Sequence, residues 1–290
     1  MATVATMGTS TVSEVLRLKY FKATLETNLR NALVCEKICN VDRSDSKYLS
    51  NPYGNQPTAN IAAIAGTYTV NTVTTTDQHI SVTEQITYGE HIFEFEETLS
   101  RFDLYASRVD EMSYAIAFGI DKWVLNKITD VCTGTYTTPA GGFTTASNIN
   151  IIMSNLLSKV AGFQDMYKGT FLVIENTDVP GFIQAQASNG FSFADAALNN
   201  GFMTNYMGVE IYVVRTGTFV TATLGNLSAT NSGHRLFGVK NVATYLSPRG
   251  VQMQEKMITG VTGKEIGVWA NIGGDVWTPK RGLLVDITLA

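Results

Sequence analysis

Charged side chains are scarce in this chain of 290 residues. Lys, Arg, Asp and Glu make up 16% of it, against about 25% in an ordinary soluble domain. With 21 bases against 25 acids the net charge is -4, so the concentrated basic surface with which a duplex-binding protein neutralises phosphates is missing. Cysteine is scarce too. Three in so long a chain, an odd number, argue against a disulfide framework and for synthesis in a reducing compartment, simply a cytoplasm. The first twenty residues, MATVATMGTSTVSEVLRLKY, contain no apolar signal core. No apolar run reaches the roughly 18 residues that a membrane helix needs. Disorder is excluded by the opposite excess, since 44% of the residues are hydrophobic.

The usual chemical motifs are also lacking. Cys35 and Cys39 stand one helical turn apart, but no second CxxC or His pair completes a tetrahedral zinc site. Cys132 has no companion nearby, and His79, His91 and His234 are far apart, none in HExxH spacing. Gly260-Val-Thr-Gly-Lys264 is two residues short of a phosphate loop, and Glu265 stands where Ser or Thr must meet magnesium; it reads as a turn between two strands. There is no GxSxG elbow and no GxGxxG between a strand and a helix. Glu94 and Glu96 share one face of an extended run, with Glu97 following. Glycosidase carboxylates flank their sugar from opposite sides, so structural use is the preferred reading. Asn226-Leu-Ser228 fits the glycosylation pattern, which matters only on secretion. No catalytic, cofactor-binding or metal-binding residue is assigned.

What is present is a clear order of elements. Thr11 to Glu14 has the form of a capping box, and Leu18, Phe21, Leu25, Leu29 and Ala32 or Leu33 form one apolar stripe, predicting a helix to about Asn40. VDRSDSKYLSNPYGNQP reads as a connector without packed core. From Gly66 to about Phe95 the period changes to two: Tyr68, Val70 and Thr72 on one arm, Ile80, Val82 and Glu84 on the other, with Thr74 to Gln78 as tip. Such a two-stranded hairpin is marginal alone and invites pairing with another chain. Ser100 to Asp103 again resembles a capping box, and Phe102, Tyr105, Val109, Met112, Ile116, Ile120 and Trp123 predict a helix over residues 101–128. Its middle, SYAIAFGI, is apolar nearly all round, which makes it a spine covered on several sides.

Beyond a Gly- and Thr-rich turn region, Ser147 is the expected N-cap of a helix carrying Ile149, Ile152, Leu156 and Val160. Thr170 to Ile174 is a strand, and Asp178 before Val179-Pro180 opens a short helix to about Ala187. Strands are expected at Val209 to Val214, Arg235 to Val239, Val242 to Leu246, Val251 to Ile258, Lys264 to Ala270 and Leu283 to Ile287. Charge is uneven. Residues 77–121 hold ten acids and two bases, while residues 48–76 hold no charge at all. Two readings of the acidic stretch stay open: solvated faces, or contacts between subunits that set register.

This order resembles the major capsid proteins of tailed double-stranded DNA bacteriophages, the Hong Kong 97-type fold. SEVLRLKYFKATLETNLRNALV is similar to its arm helix, GTYTVNTVTTTDQHISVTEQI to its extended loop, and FDLYASRVDEMSYAIAFGIDKWVLNKI to its spine helix, with an Asp near the end. NINIIMSNLLSKVAG and FLVIENTDVPGFIQA look like the helix, strand and helix of the axial domain; GVEIYVV and KEIGVWANIGGDVWTPKRGLLVDI look like its strand and the closing strands. The resemblance implies an α+β fold: arm and connector at 1–55, extended β-hairpin loop at 56–96, peripheral domain with the spine helix at 97–145, axial domain at 146–262, closing strands at 263–290.

It further implies a structural role without enzymatic activity: pentamers and hexamers closing an icosahedral virion shell around phage DNA, made in the bacterial cytoplasm. Partners would be sibling subunits, a portal protein, a separate scaffold protein and decoration proteins. The sequence has no Lys between Lys47 and Lys122, so the loop-lysine crosslink of some members is excluded. Residues 67–86 are expected to be removable without unfolding the subunit. An encapsulin-like compartment and a carbohydrate-active β-rich protein are the alternatives.

Overall fold

The computed structural model describes residues 22–30, 32–54, 64, 75–93, 104–162, 168–188, 202–257 and 263–290. Both capping boxes, the Tyr68 to Thr72 arm and Glu94, Glu96 and Glu97 lie outside them.

Helical residues 22–30 and 32 (α1) bury Leu25, Leu29 and Leu33, the stripe that the spacing predicts. The helix does not continue to Asn40. It breaks at Val34, a separate turn follows at Cys35–Ile38 (α2), and Asn40–Asp42 is already a strand (β1). The break has a tertiary cause: the amides of Val34 and Cys35 donate to the buried Asp121 carboxylate, at 3.0 and 2.8 Å. A carboxylate accepting two backbone N–H groups starts a new helical turn as an N-cap would.

The connector is more structured than its composition indicates. Tyr48–Gly54 forms β2, antiparallel to the 19-residue β3 (Thr75–Phe93) from Tyr48 opposite Ser81 to Gly54 opposite Thr75. Thr75 to Gln78 are therefore strand rather than hairpin tip, and the partner of this part of β3 is β2. Along β3, Ile80, Val82, Glu84, Ile86, Tyr88 and Glu90 are wholly or partly buried while Ser81, Thr83, Gln85, Thr87 and His91 are exposed. That alternation is the period-two pattern of a half-covered sheet.

The remaining helices are Leu104–Val131 (α3), Ala146–Val160 (α4) and Val179–Ser188 (α5). The strands are Gly134–Thr137 (β4), Thr170–Glu175 (β5), Phe202–Tyr206 (β6), Val209–Val214 (β7), Thr221–Leu224 (β8), Leu227–Thr230 (β9), His234–Val239 (β10), Ala243–Leu246 (β11), Val251–Met257 (β12), Gly263–Val276 (β13) and Leu284–Thr288 (β14). One sheet runs β1-β11-β13-β3-β2, with β12 also on β13; a second runs β4-β14-β10-β5-β7-β6; β8 and β9 form a hairpin. β12 ends at Met257, opposite Lys264, and Gly263 and Lys264 already belong to β13; Gly260 to Thr262, the rest of the segment expected as a turn, lie outside the described residues.

The spine helix α3, about 42 Å long at 1.5 Å per residue, packs on β13 and β3. Met112, Ile116, Ile120, Trp123, Val124, Leu125 and Ile128 are all buried in a core shared by both large sheets. Within SYAIAFGI, Ser113, Ile116, Ala117 and Ile120 are buried and Ala115, Phe118 and Gly119 partly so, but Tyr114 is 63% exposed, so this stretch is covered on several sides and not all round. In α4, Ile149, Ile152, Leu156 and Val160 are buried as predicted. Its N-cap, however, is Thr145, so Ser147 falls inside the first turn. Instead, Asn148 donates to the Ala140 carbonyl at 2.9 Å and ties the helix to the preceding turn.

Gly181 in the first turn of α5 lies against the Phe143 backbone, where an added Cβ would stand 1.9 Å from the carbonyl oxygen. Gly181→Ala should therefore destabilise the chain by about 1–3 kcal/mol through overpacking, read as a lowered urea midpoint at unchanged m-value.

Candidate assembly surfaces

The feature that stands apart from the core is the far end of the β2–β3 ribbon. At its base Leu49 and Val82 pack on Ile80, Leu246 and Trp277, a cluster separate from the main core. Further out Ser50, Asn51, Pro52, Thr75, Thr76 and Asp77 are exposed. Ser50 donates to Asp77 at 2.7 Å, and the rings of Tyr48 and His79 meet edge-on at 5.4 Å on the exposed side. Two strands with so little apolar cover need a further partner.

The outer face of the β12-β13-β3 sheet is the second surface. Its cross-strand rows are Gln252, Trp269 and Thr87, then Gln254, Gly267 and Gly89. Trp269 is half-buried in this weakly charged, polar face.

Much of the acidic stretch is engaged within the chain. Asp110 accepts from the Asn28 amide at 2.6 Å and ties α1 to the spine. Glu90 pairs with Arg108 at 3.2 Å, and Arg108 with Glu111 at 2.8 Å. Glu84 accepts the Asn226 backbone N–H at 3.2 Å, in the tight turn between β8 and β9. Asp121 anchors the α1–α2 break. These five acids each have a partner within the chain, although Asp110 and Glu111 also remain exposed. Local composition shows the charge excess but not its partners, which come from 3 to 142 positions away.

Two buried polar centres hold the scaffold. Around Asp121, burial raises the carboxyl to about pKa 6 against the pull of the two backbone N–H groups. Burial, with Asp121 beside them, likewise pushes the Cys35 and Cys39 thiols well up. They are neutral packing groups, the opposite of activated thiolates. The second centre joins β5, α5 and β10. Arg235 donates to Asp178 and to the His234 carbonyl, and pairs with Glu175 at 3.2 Å. Glu175 in turn accepts the Gly217 N–H at 3.0 Å, fixing the loop after β7. Sequence reading saw Asp178 only as a helix start and missed Arg235; an Arg in an otherwise apolar strand, HRLFGV, was the available signal.

The other candidates do not converge. His79 lies on the ribbon near Asp77, His91 on the outer face of β3, and His234 contacts Asp286 at 2.8 Å. Cys132 donates to the Ile128 carbonyl. Among the described residues no three His, Cys, Asp or Glu side chains are grouped to hold a metal, and no helix is long and apolar enough to cross a membrane.

No protein-family model and no curated protein matches the sequence. Solved structures do. The capsid of the cyanophage P-SCSP1u aligns with a TM-score of 0.65 at 13% identity, covering 89% of this chain and 88% of that one. The mature capsid of bacteriophage PhiM1 gives 0.63 at 12%, covering 89% and 87%. A virus-like particle from Pyrococcus furiosus gives 0.59 at 11%, covering 93% and 99%. Such identities carry no shared chemistry, but alignment over about nine-tenths of both chains establishes architecture: the chain has the α+β, Hong Kong 97-type fold of phage capsid proteins.

Proposed function

We propose that this chain is a non-enzymatic shell protein whose copies form pentamers and hexamers that close into an icosahedral virion capsid around double-stranded DNA. The observation that carries the reading is the β2–β3 ribbon, which leaves the sheet with its outer residues uncovered. The edge of β2 that no described strand pairs, and an outer surface on which Asp77 is the one described carboxylate, suit strand addition on a neighbouring copy. The domain division at 1–55, 56–96, 97–145, 146–262 and 263–290 belongs to this reading, as do a portal, a separate scaffold and decoration proteins as partners. So does synthesis in a bacterial cytoplasm. The small net charge fits a wall that encloses DNA without gripping it.

A second reading, an encapsulin-like compartment enclosing protein cargo, needs the same shell architecture, and a virus-like particle is among the structures of similar fold. Electron microscopy of the protein expressed with its neighbouring genes separates them: nucleic acid inside closed shells supports the first, a cargo enzyme the second. Monomers without rings or shells sink both.

The removable segment is not 67–86. Ile80 is buried and β3 pairs with β13 from Val82 onward, so that deletion would unfold the sheet. Replacing residues 55–74 by a short Gly-Ser turn bridges the paired Gly54 and Thr75 instead. The expected result is a subunit with an unchanged melting midpoint that yields few closed shells; particles as abundant and stable as those of the intact chain would overturn the ribbon's role.

A further inference from the structure

The spine helix leaves one large aromatic side chain in solvent. Tyr114 is 63% exposed and borders an apolar groove of about 220 Å³, whose other walls include Ala32, Val34, Ala117, Phe118 and Val213. One turn on, the Phe118 ring is half-buried under two cations, with Lys122 Nζ 5.8 Å and the Arg215 guanidinium 5.1 Å from its centroid. Neither cation has a carboxylate partner among the described residues. Asp121, which also reaches the groove, is buried and turns its oxygens to the amides of Val34 and Cys35.

The other end of the same face is acidic. Asp110 and Glu111 are exposed. Arg108 is shared between Glu111 and Glu90, while Asp110 has the neutral Asn28 amide, so three carboxylates meet one guanidinium. With 3.6 residues per turn, Glu111, Tyr114, Phe118 and Lys122 fall within a sector of about 80° on the helix, and Glu111 and Lys122 stand about 17 Å apart along it. The face therefore runs from acid through two aromatic rings to base. Such a face is complementary to itself turned end for end. In a two-fold contact residue i meets j and j meets i, so each acidic end finds the other copy's Lys122 and Arg215. Tyr114 then reaches the groove beside Phe118 of the other copy. Two spines pointing the same way would instead set acid against acid, which charge disfavours.

We propose that this face is a docking surface for a second copy of this chain, the two spine helices crossing antiparallel about a two-fold axis with Tyr114 and Phe118 at its centre. The contact needs two copies and not a closed shell, so it stands apart from the shell reading.

The test is sedimentation velocity of the intact protein, dissociated to its smallest species, for the parent, Lys122→Glu, Glu111→Lys and the double variant. It is paired with a cryo-electron microscopy map of whatever assembly the protein adopts. Each single reversal brings like charges together at both junctions, so dimer affinity should fall about tenfold, and the double variant should return to within about threefold of the parent. Tyr114→Ser, at an exposed site, should weaken the dimer about tenfold at an unchanged melting midpoint, which separates loss of contact from loss of fold. The map should show the Tyr114 faces of two copies meeting across a two-fold axis. Single reversals that dimerise like the parent, a double variant no tighter than the singles, or a Tyr114 face that is bare or covered by anything but a second spine overturns the proposal. Closed shells without this contact would overturn it and leave the shell reading standing; dimers without shells would do the reverse.

Discussion

Arg235→Met should cost the fold about 3–5 kcal/mol, the expected penalty for breaking a buried ion pair from one side. The guanidinium serves two carboxylates, Glu175 and Asp178, and all three side chains are no more than 10% exposed. Methionine fills much of the volume, so the loss is electrostatic rather than a cavity. Glu175 also accepts the amides of Gly217 and Phe219 at 3.0 and 3.4 Å, so its uncompensated charge would loosen the loop after β7 as well as the β5–α5 junction. Urea unfolding measures the effect. Adding Glu175→Gln and Asp178→Asn should restore part of the lost stability by removing the stranded charges; a single variant within 1 kcal/mol of the parent would show that the cluster is not coupled as its geometry requires.

Asp121 carries the second large effect. Asp121→Ala leaves two buried amides, Val34 and Cys35, without acceptors, for an expected loss of about 2–6 kcal/mol at 1–3 kcal/mol each. Asp121→Asn separates charge from hydrogen bonding, because one side-chain atom still accepts while its NH2 opposes the other amide. The pH dependence has a definite sign. Burial raises the folded-state pKa to about 6, above the unfolded carboxylate near 4, so the folded chain binds the proton first as pH falls. Stability at this site is greatest below about pH 4 and is lost as pH rises through 6. Between pH 7 and 5 the parent should gain about 1 kcal/mol that Asp121→Asn lacks. Equal pH slopes for the two proteins would show that the group is not perturbed.

Several elements were legible because their cause is local. The stripe of Ile149, Ile152, Leu156 and Val160 is buried as its period demands. The spine helix ends three residues beyond its expected bound, its expected start lying outside the described residues, and Val209–Val214 was legible to the residue. Other features have no local cause. The connector becomes β1 and β2 because β11 and β3 offer ladder edges, and the same Ser-, Asn- and Pro-rich residues would remain a loop without them. The predicted tip failed over Thr75 to Gln78 for the same reason: period-two texture marks a strand but not its partner.

Hydrophobic spacing alone settled which residues of the spine, of α4 and of strands such as Val209–Val214 turn inward, since burial is a property of one face of one segment, but it did not mark β1 and β2. The arrangement of charge in space was left to tertiary structure. Asp121, Glu175 and Arg235 are polar positions among many when read along the chain, and only the apposition of helices and strands distant in sequence removes water from them and supplies their partners. The scarcity of charge has the same physical root. An interior that closes over so many segments can hold an ionised group only where a second group meets it, and the sequence marks the groups but not the meetings.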